Sequence, residues 1–483
     1  MDRPRYNPQL EREYLARGWW SEDDTLPKWL ARNAGRRGDA PAVVQGETTL
    51  SWKALHEKVV RAAEGLRKRG VGQGDVVAVQ LPNVPEFIVA YLATSRLGAV
   101  FCTLHMPYRS AEIDAILGHS GARVFLNSGS LVSELEKNPP LDSAYPLPDP
   151  RDAFLLLYTS GTTASPKGVP HAHRAMLGNG RLGAAEHRIT GASRVLSAAP
   201  LSHLYGLYSL HCAWAVGACT VLLPQFTPPG LAEIVEKRKP TALWTAPAHV
   251  AACRAAGLFD KHDWSSLELA IVSGSMAPPE LIRFFSQKAP GCAVTQLWGM
   301  TELQAALYSR PGDPLEVSAT TAGRPSPGTE IRIVEDELQV RGPLVFSGYL
   351  KSDENPFTRD GWFRSGDLAK WMGENVAITG RTRDIINRGG VKFNPADVEA
   401  LLDSHPRILQ AAIVPMADPV LGERACVFVT LRNKDQPVTL PELVDYLLGK
   451  NIAKNKLPER LVVISEMPLT PTRKIIKGRL RPD

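Results

Sequence analysis

Short apolar segments alternating with helical ones constrain the fold of this chain more than any other feature. Residues 86–96 are helical in pattern, 99–103 are apolar and strand-like, 110–120 are helical again, and 124–127 form a further apolar run. The alternation resumes with strands at 194–199, 220–223, 242–244 and 267–273, and with helices near 231–237 and 248–258. Such strand–helix–strand repeats pack as a mostly parallel sheet with helices on both sides, because both faces of each strand are apolar. The expected fold class is therefore α/β. The chain's 483 residues exceed what one core supports, so two or more domains are expected. Residues 315–380 are richer in Gly, Pro and short strands, such as 330–334 and 337–341, and read as a small β subdomain.

The first 40 residues, with Trp19, Trp20 and Trp29, read as an arm and a helix packing on the main body. Residues 43–44 and 48–50 suggest a short hairpin. Ser51 is a good N-cap for a helix with apolar positions Leu55, Val59, Ala62 and Leu66, stopped at Gly70. The spacing of Gly70, Gly72 and Gly74 imitates a dinucleotide fingerprint. It follows a helix and precedes the strand 76–81, which is the wrong order, so it is a turn. Residues 128–150, with their prolines and charges, are expected to be a surface connection.

Composition excludes several function classes. At 44% hydrophobic and 22% charged the chain is ordinary globular material, and a net charge of +6 without a dense basic run argues against nucleic acid. The six cysteines show no CxxC spacing, so metal and redox motifs are unsupported and reduced, buried thiols in a cytoplasmic protein are expected. The N-terminus lacks the apolar core of a signal peptide. The apolar run at 210–223 carries His211 and is too short for a membrane span; it reads as a buried helix and strand.

The apolar strand 153–158 runs into Tyr158, Thr159, Ser160, Gly161, Thr162, Thr163, Ala164, Ser165, Pro166, Lys167, Gly168 and Val169. Small residues let main chain approach a ligand, while hydroxyls and N–H groups can surround an oxygen-rich anion. Lys167 adds a point charge suited to phosphate. A polyphosphate suits this loop, although any Ser/Thr/Gly loop also serves as a solvated turn. The common nucleotide loop does not fit. Pro166 stands before the lysine and Gly168 after it, where that motif needs Gly and a hydroxyl.

The whole string resembles the phosphate loop of the adenylate-forming superfamily, which includes acyl-CoA synthetases, stand-alone adenylation enzymes and beetle luciferases; Ala164 replaces a usual Gly. Four further segments match in order. Ser273-Gly274-Ser275-Met276 resembles the adenine-binding turn. Gln296-Leu297-Trp298-Gly299-Met300-Thr301-Glu302 resembles the motif in which an aromatic stacks the purine, Thr bonds the α-phosphate and Glu holds Mg²⁺ bound to ATP. In 361–367 the ribose-binding carboxylate matches Asp367. In 380–390, Arg381 matches the arginine contacting ribose and phosphate, Arg383 the hinge, and Arg388, Gly389 and Gly390 the segment lining a CoA channel. In 468–477, Lys474 aligns with the catalytic lysine, with Arg473 where Gly is usual.

The resemblance spans roughly residues 40–483. It implies a large AMP-binding domain over 1–381 and a small, mobile α+β domain over 382–483. It implies an acid–thiol ligase: a carboxylate attacks ATP to give acyl-AMP and pyrophosphate, and CoA then takes the acyl group. Lys474, Thr301, Glu302 and Lys167 would be catalytic. Thr159 to Thr163, the Gly274–Met276 turn, Trp298 to Thr301, Asp367 and Arg381 would bind nucleotide. His203, Tyr205, Gly206, Gly274, Gly299 and Leu303 would line the acid pocket, suiting an aryl or medium-length aliphatic acid. His203 serves equally well as a structural histidine, and His171 with His173 lack a third metal ligand, so helix-start packing is expected there. ATP, Mg²⁺, CoA and a small carboxylic acid are the expected partners, and a monomer or homodimer the expected state. A carrier-loading adenylation enzyme and a non-catalytic nucleotide-binding relative remain alternatives.

Overall fold

The computed structural model describes the chain except Asp2, Arg5, residues 160–166, Gly390, residues 471–473 and Asp483. It divides into two compact units, 1–330 with 340–363, and 331–339 with 364–483.

In the first unit the alternating segments build two sheets. The larger has nine strands in the order Arg324–Pro325, Gln304–Tyr308, Ala293–Met300, Leu269–Val272, Ala242–Thr245, Arg194–Ser197, Cys219–Leu222, Pro41–Gln45, Thr48–Ser51. Its inner strands pair in parallel, and the edges are closed by antiparallel neighbours. The smaller sheet orders Ala122–Leu126, Val76–Val79, Val100–Thr103, Ala153–Thr159 and Lys167–Ala172, parallel except for the last pair. The inner strands are buried on both faces, as near-continuous Val/Leu/Ala runs require.

Helices cover these sheets. Trp52–Lys68 starts where expected: the Ser51 hydroxyl accepts the Ala54 N–H at 3.2 Å. Trp52, Phe87, Tyr91, Phe101, Phe154, Trp214 and Trp244 share one core. The helix Leu204–Ala215 is buried on every side, which explains why its sequence is apolar throughout rather than in a stripe.

One expectation is corrected. Residues 128–150 are not wholly a surface connection, for Gly129–Leu135 is a helix capped by Ser128, with Val132 and Leu135 buried in the main core. The N-terminal arm holds two helices, Pro8–Ala16 and Leu26–Arg37. Its Trp20 stacks under the Arg174 guanidinium at 4.1 Å, and Glu11 pairs with that arginine at 2.6 Å.

In the second unit, Phe363–Met372 and Asn375–Arg381 form an antiparallel pair in a four-stranded sheet completed by Glu337–Arg341 and Glu330–Val334. A five-stranded sheet follows, built on the long hairpin Ile408–Asp418 and Gly422–Leu431, with the helices Ala396–Leu402 and Leu440–Gly449 packed on its core. Among the described residues no helix is long and apolar enough to cross a membrane.

Candidate active site

Ligands of parallel α/β sheets gather beyond the carboxyl ends of the strands. Beyond Arg194–Ser197 lies the segment leading to His203 and the buried helix Leu204–Ala215. His203 caps this helix, its Nδ1 accepting the Tyr205 N–H at 3.2 Å. Its ring lies parallel to that of His105 at 6.1 Å. His105 in turn bonds Ser202 Oγ at 2.9 Å, and burial lowers its pKa to about 4, so it is neutral. Tyr205 is buried, and its hydroxyl donates to Ile271 O at 2.6 Å and to Thr245 O at 3.3 Å. This ties the helix start to the ends of two neighbouring strands. Gly206 sits where a Cβ would fall 2.2 Å from Pro200 O, so no larger residue fits.

Beyond Leu269–Val272, the turn carries Gly274 at φ +98°, beside Ala246. Ser275 and Met276 are exposed. The next strand, Ala293–Met300, changes partner along its length. It runs parallel to Leu269–Val272 as far as Gln296, then turns into an antiparallel hairpin with Gln304–Tyr308, with an irregularity at Trp298/Gly299. A Cβ on Gly299 would lie 1.8 Å from Gln304 O, so only glycine permits this close approach. Trp298 and Met300 are half-buried, Leu303 is fully buried, and the Thr301 main chain is hydrogen-bonded by the buried His171.

Glu302 is the chemically notable group. Its residue is 8% exposed, and burial raises its pKa against the opposing effect of the Tyr349 hydroxyl, which donates to Oε1 at 2.9 Å. Lys167 Nζ lies 5.4 Å from the centre of the Tyr349 ring and pairs with Glu354 at 2.6 Å. Thr159 faces Lys167 across the hairpin from which the phosphate loop projects. Lys167 and Glu302 are therefore brought to one tyrosine, the lysine at its ring and the carboxylate at its hydroxyl. The loop residues Ser160, Gly161, Thr162 and Thr163 lie outside the described residues.

A buried carboxylate whose charged form is disfavoured is a fitting partner for a cation. Among the described residues no three His, Cys, Asp or Glu side chains cluster as metal ligands. That donor set fits Mg²⁺, which typically takes one or two carboxylates and fills its remaining positions with phosphate oxygens and water.

In the second unit, Asp367 and Arg381 face each other across the pair Phe363–Met372 and Asn375–Arg381, with Nε and Oδ1 3.1 Å apart. Asp367 is buried and Arg381 partly open. Arg383 is exposed, in the single turn Thr382–Asp384 that links the unit's two sheets. Arg388 pairs with Glu459, and Gly389 adopts φ +60°; Gly390 lies outside the described residues. Lys474 is bonded to Thr470, its N–H donating to Thr470 Oγ1 at 2.9 Å and its carbonyl accepting from Thr470 N at 2.8 Å.

Sequence reasoning missed Tyr349 and Glu354, and it took His171 for helix-start packing. Each meets its partner across a long sequence separation, so no local spacing could reveal it. A tyrosine after Gly348 in a Gly/Pro-rich stretch was the only cue.

Comparison with known proteins agrees with this geometry. Residues 30–350 match the AMP-binding enzyme family, and residues 397–474 its C-terminal domain. The chain is 30% identical to the medium-chain fatty-acid–CoA ligase of Escherichia coli, over 99% of this chain and 93% of that protein. It is 32% identical to the salicyl-AMP ligase / salicyl-S-ArCP synthetase of Mycobacterium tuberculosis, over 96% and 91% of the two chains. It is 30% identical to the 2,3-dihydroxybenzoate-AMP ligase of Bacillus subtilis, over 98% and 96%. The crystal structure of the anthranilate CoA ligase AuaEII with anthranoyl-AMP has the same fold, with a TM-score of 0.87 at 22% identity, covering 95% and 96% of the two chains. Two matched domains and full-length relatives leave one assignment: the chain belongs to the AMP-binding enzymes, a family of adenylate-forming ligases.

Proposed function

We propose that this adenylate-forming ligase is an ATP-dependent carboxylate–CoA ligase. An aryl or medium-chain acid reacts with ATP to give acyl-AMP and pyrophosphate, and CoA then takes the acyl group and releases AMP. One observation carries the first step: Lys167 and the buried Glu302 both meet Tyr349, one at its ring and the other at its hydroxyl.

The first step joins two anions, so its barrier is electrostatic. Lys167 would meet the β- and γ-phosphates, and Lys474 the charge growing between the carboxylate and the α-phosphate. Thr301 donates to the α-phosphate. Mg²⁺ arriving with ATP would be held by Glu302 and would neutralise phosphate charge. Trp298 and the Gly274–Met276 turn take the adenine, and Asp367 with Arg381 takes the ribose. Each preorganised contact of this kind is worth about 10²–10³ in rate. The acid sits by His203, which is half-buried, above the floor made by Gly206, Gly299 and Leu303.

For the second step Lys474 must withdraw to admit the thiol. The domains 1–381 and 382–483 alternate about Arg383, a hinge of a recognised kind. Arg388, Gly389 and Gly390 line the thiol's approach. The six cysteines are free and buried, in keeping with a cytoplasmic enzyme.

A second reading has its own support. Two relatives are aryl-AMP ligases by name, and one of them is also named a salicyl-S-ArCP synthetase, so a carrier-protein thiol is the competing acceptor. Exchange of labelled pyrophosphate into ATP, screened over aryl and C6–C12 acids (roughly, a small pocket), followed by a choice of CoA or carrier acceptor, tests both. Exchange with an acid and thioester on CoA is expected. Thioester only on a carrier protein establishes the second reading, and no exchange with any acid overturns both.

A further inference from the structure

The geometry points to Tyr349 as a positioning residue for the ATP-bound divalent cation: its hydroxyl holds the Glu302 carboxylate in the orientation that receives the metal. This rests on the reading of Glu302 as the residue that holds that cation.

Four contacts fix the arrangement. The Tyr349 hydroxyl donates to Glu302 Oε1 at 2.9 Å. Three residues earlier, Phe346 N–H donates to the Glu302 carbonyl at 2.9 Å. One residue later, Leu350 N–H donates to the Gly168 carbonyl at 2.8 Å. Glu354 then pairs with Lys167 at 2.6 Å. The segment 346–354 is thus a strap bonded to both the Glu302 turn and the strand that leaves the phosphate loop. Gly168 leaves room for it: a Cβ there would stand 3.2 Å from Leu350 Cβ.

The strap restrains the tyrosine on both flanks. Its ring also packs edge-on against Phe346, with centroids 4.9 Å apart. The hydroxyl therefore cannot follow Glu302 if the carboxylate swings; the carboxylate must come to it. A free glutamate side chain has several rotatable bonds and loses conformational freedom when fixed. A hydrogen bond to a charged acceptor is among the stronger ones and can hold that group before the ligand arrives. With Oε1 engaged by Tyr349, the carboxylate is already oriented when a cation arrives. Partners that orient metal ligands in this way typically contribute about tenfold to a hundredfold in metal affinity.

Tyr349→Phe removes only the hydroxyl, keeping the ring contacts with Phe346 and Lys167. Calorimetric titration with Mg·ATP and with ATP in excess chelator reads the effect without any acid substrate, and a thermal unfolding scan confirms that the variant is folded. Binding of Mg·ATP is expected to weaken about tenfold to a hundredfold, with metal-free ATP unchanged. In a Glu302→Gln background, Tyr349→Phe should add nothing, because the group it orients is altered. Equal weakening of both ligands would mark the hydroxyl as structural and overturn the inference. So would unchanged binding of both, an undiminished loss in the Glu302→Gln background, or a wild-type protein that does not prefer Mg·ATP to ATP. Because no acid is involved, a metal preference lost in the variant would stand even if pyrophosphate exchange failed with every acid.

Discussion

At the scale of the residue, Lys474 gives the sharpest test of the two-step reading. Its main chain is pinned to Thr470 by two hydrogen bonds, through the Thr470 hydroxyl and amide. Lys474→Ala therefore removes the ammonium and leaves both bonds to Thr470 in place. On the proposed reading the lysine meets the charge that builds at the α-phosphate as the carboxylate attacks, and it withdraws before the thiol attacks. The substitution should lower acyl-AMP formation by about 10²–10³. Thioester formation from supplied acyl-AMP should change far less, since the lysine has withdrawn by then. Measuring the two half-reactions separately decides the matter, and equal losses in both would remove Lys474 from the first step.

At the scale of the element, the hairpin Ala293–Met300 with Gln304–Tyr308 presents Trp298 and the buried Glu302 together, and Gly299 is its tightest point. An added Cβ would meet the Gln304 carbonyl at 1.8 Å, and main chain cannot rotate away as a long side chain would. Gly299→Ala should cost about 1–3 kcal/mol by overpacking and should displace Glu302 as the hairpin yields. A lowered thermal midpoint together with weakened Mg·ATP binding is expected; an unchanged midpoint would show that the hairpin can absorb the methyl group. Much of this architecture could be read from the chain. The inner strands announced themselves because both faces are buried, and the Ser51 cap because its signal is local. The helix Gly129–Leu135 escaped because it is short and set among prolines. The order of the site motifs was visible, and so was the residue type each offers to a nucleotide. Tyr349 and Glu354 were not, nor was the contact of His171 with Thr301, since the partners lie in other segments of the chain and are brought together only by folding.

At the scale of the whole molecule, the first unit carries an unusual load of buried imidazole. His171, His173, His187 and His211 are each at most 1% exposed, and burial lowers every one of their pKa values to about 3. Their surroundings favour the neutral ring. Phe154 stacks on His173 at 4.0 Å, Tyr91 bonds His211 Nε2 at 2.9 Å, and the nearby Arg310 opposes a second positive charge at His187. Only weak attractions, such as Asp149 toward His173 and the Thr301 main chain toward His171, work the other way. In the unfolded chain each imidazole binds a proton near its ordinary pKa of about 6.5. From there down to about 3 the unfolded state holds more protons than the native one, so stability falls as pH falls and is fully present above about 6.5. Each histidine contributes about 1.4 kcal/mol per pH unit once well below its unfolded value, or roughly 5 kcal/mol per unit for the four together. Asp24 and Glu302, raised by burial, return part of this on acidification. A loss of that size is comparable with the whole stability of a typical domain, about 5–15 kcal/mol. The first unit should therefore unfold between about pH 6 and pH 4, before most ordinary carboxylates titrate. Its calorimetric midpoint should drop steeply over that range. His173→Phe, which keeps an aromatic ring against Phe154, should make the drop shallower by about a quarter. A midpoint independent of pH across the range would mean that these rings reach water or a proton acceptor in the native protein, and the buried-neutral account of the first unit would have to be abandoned.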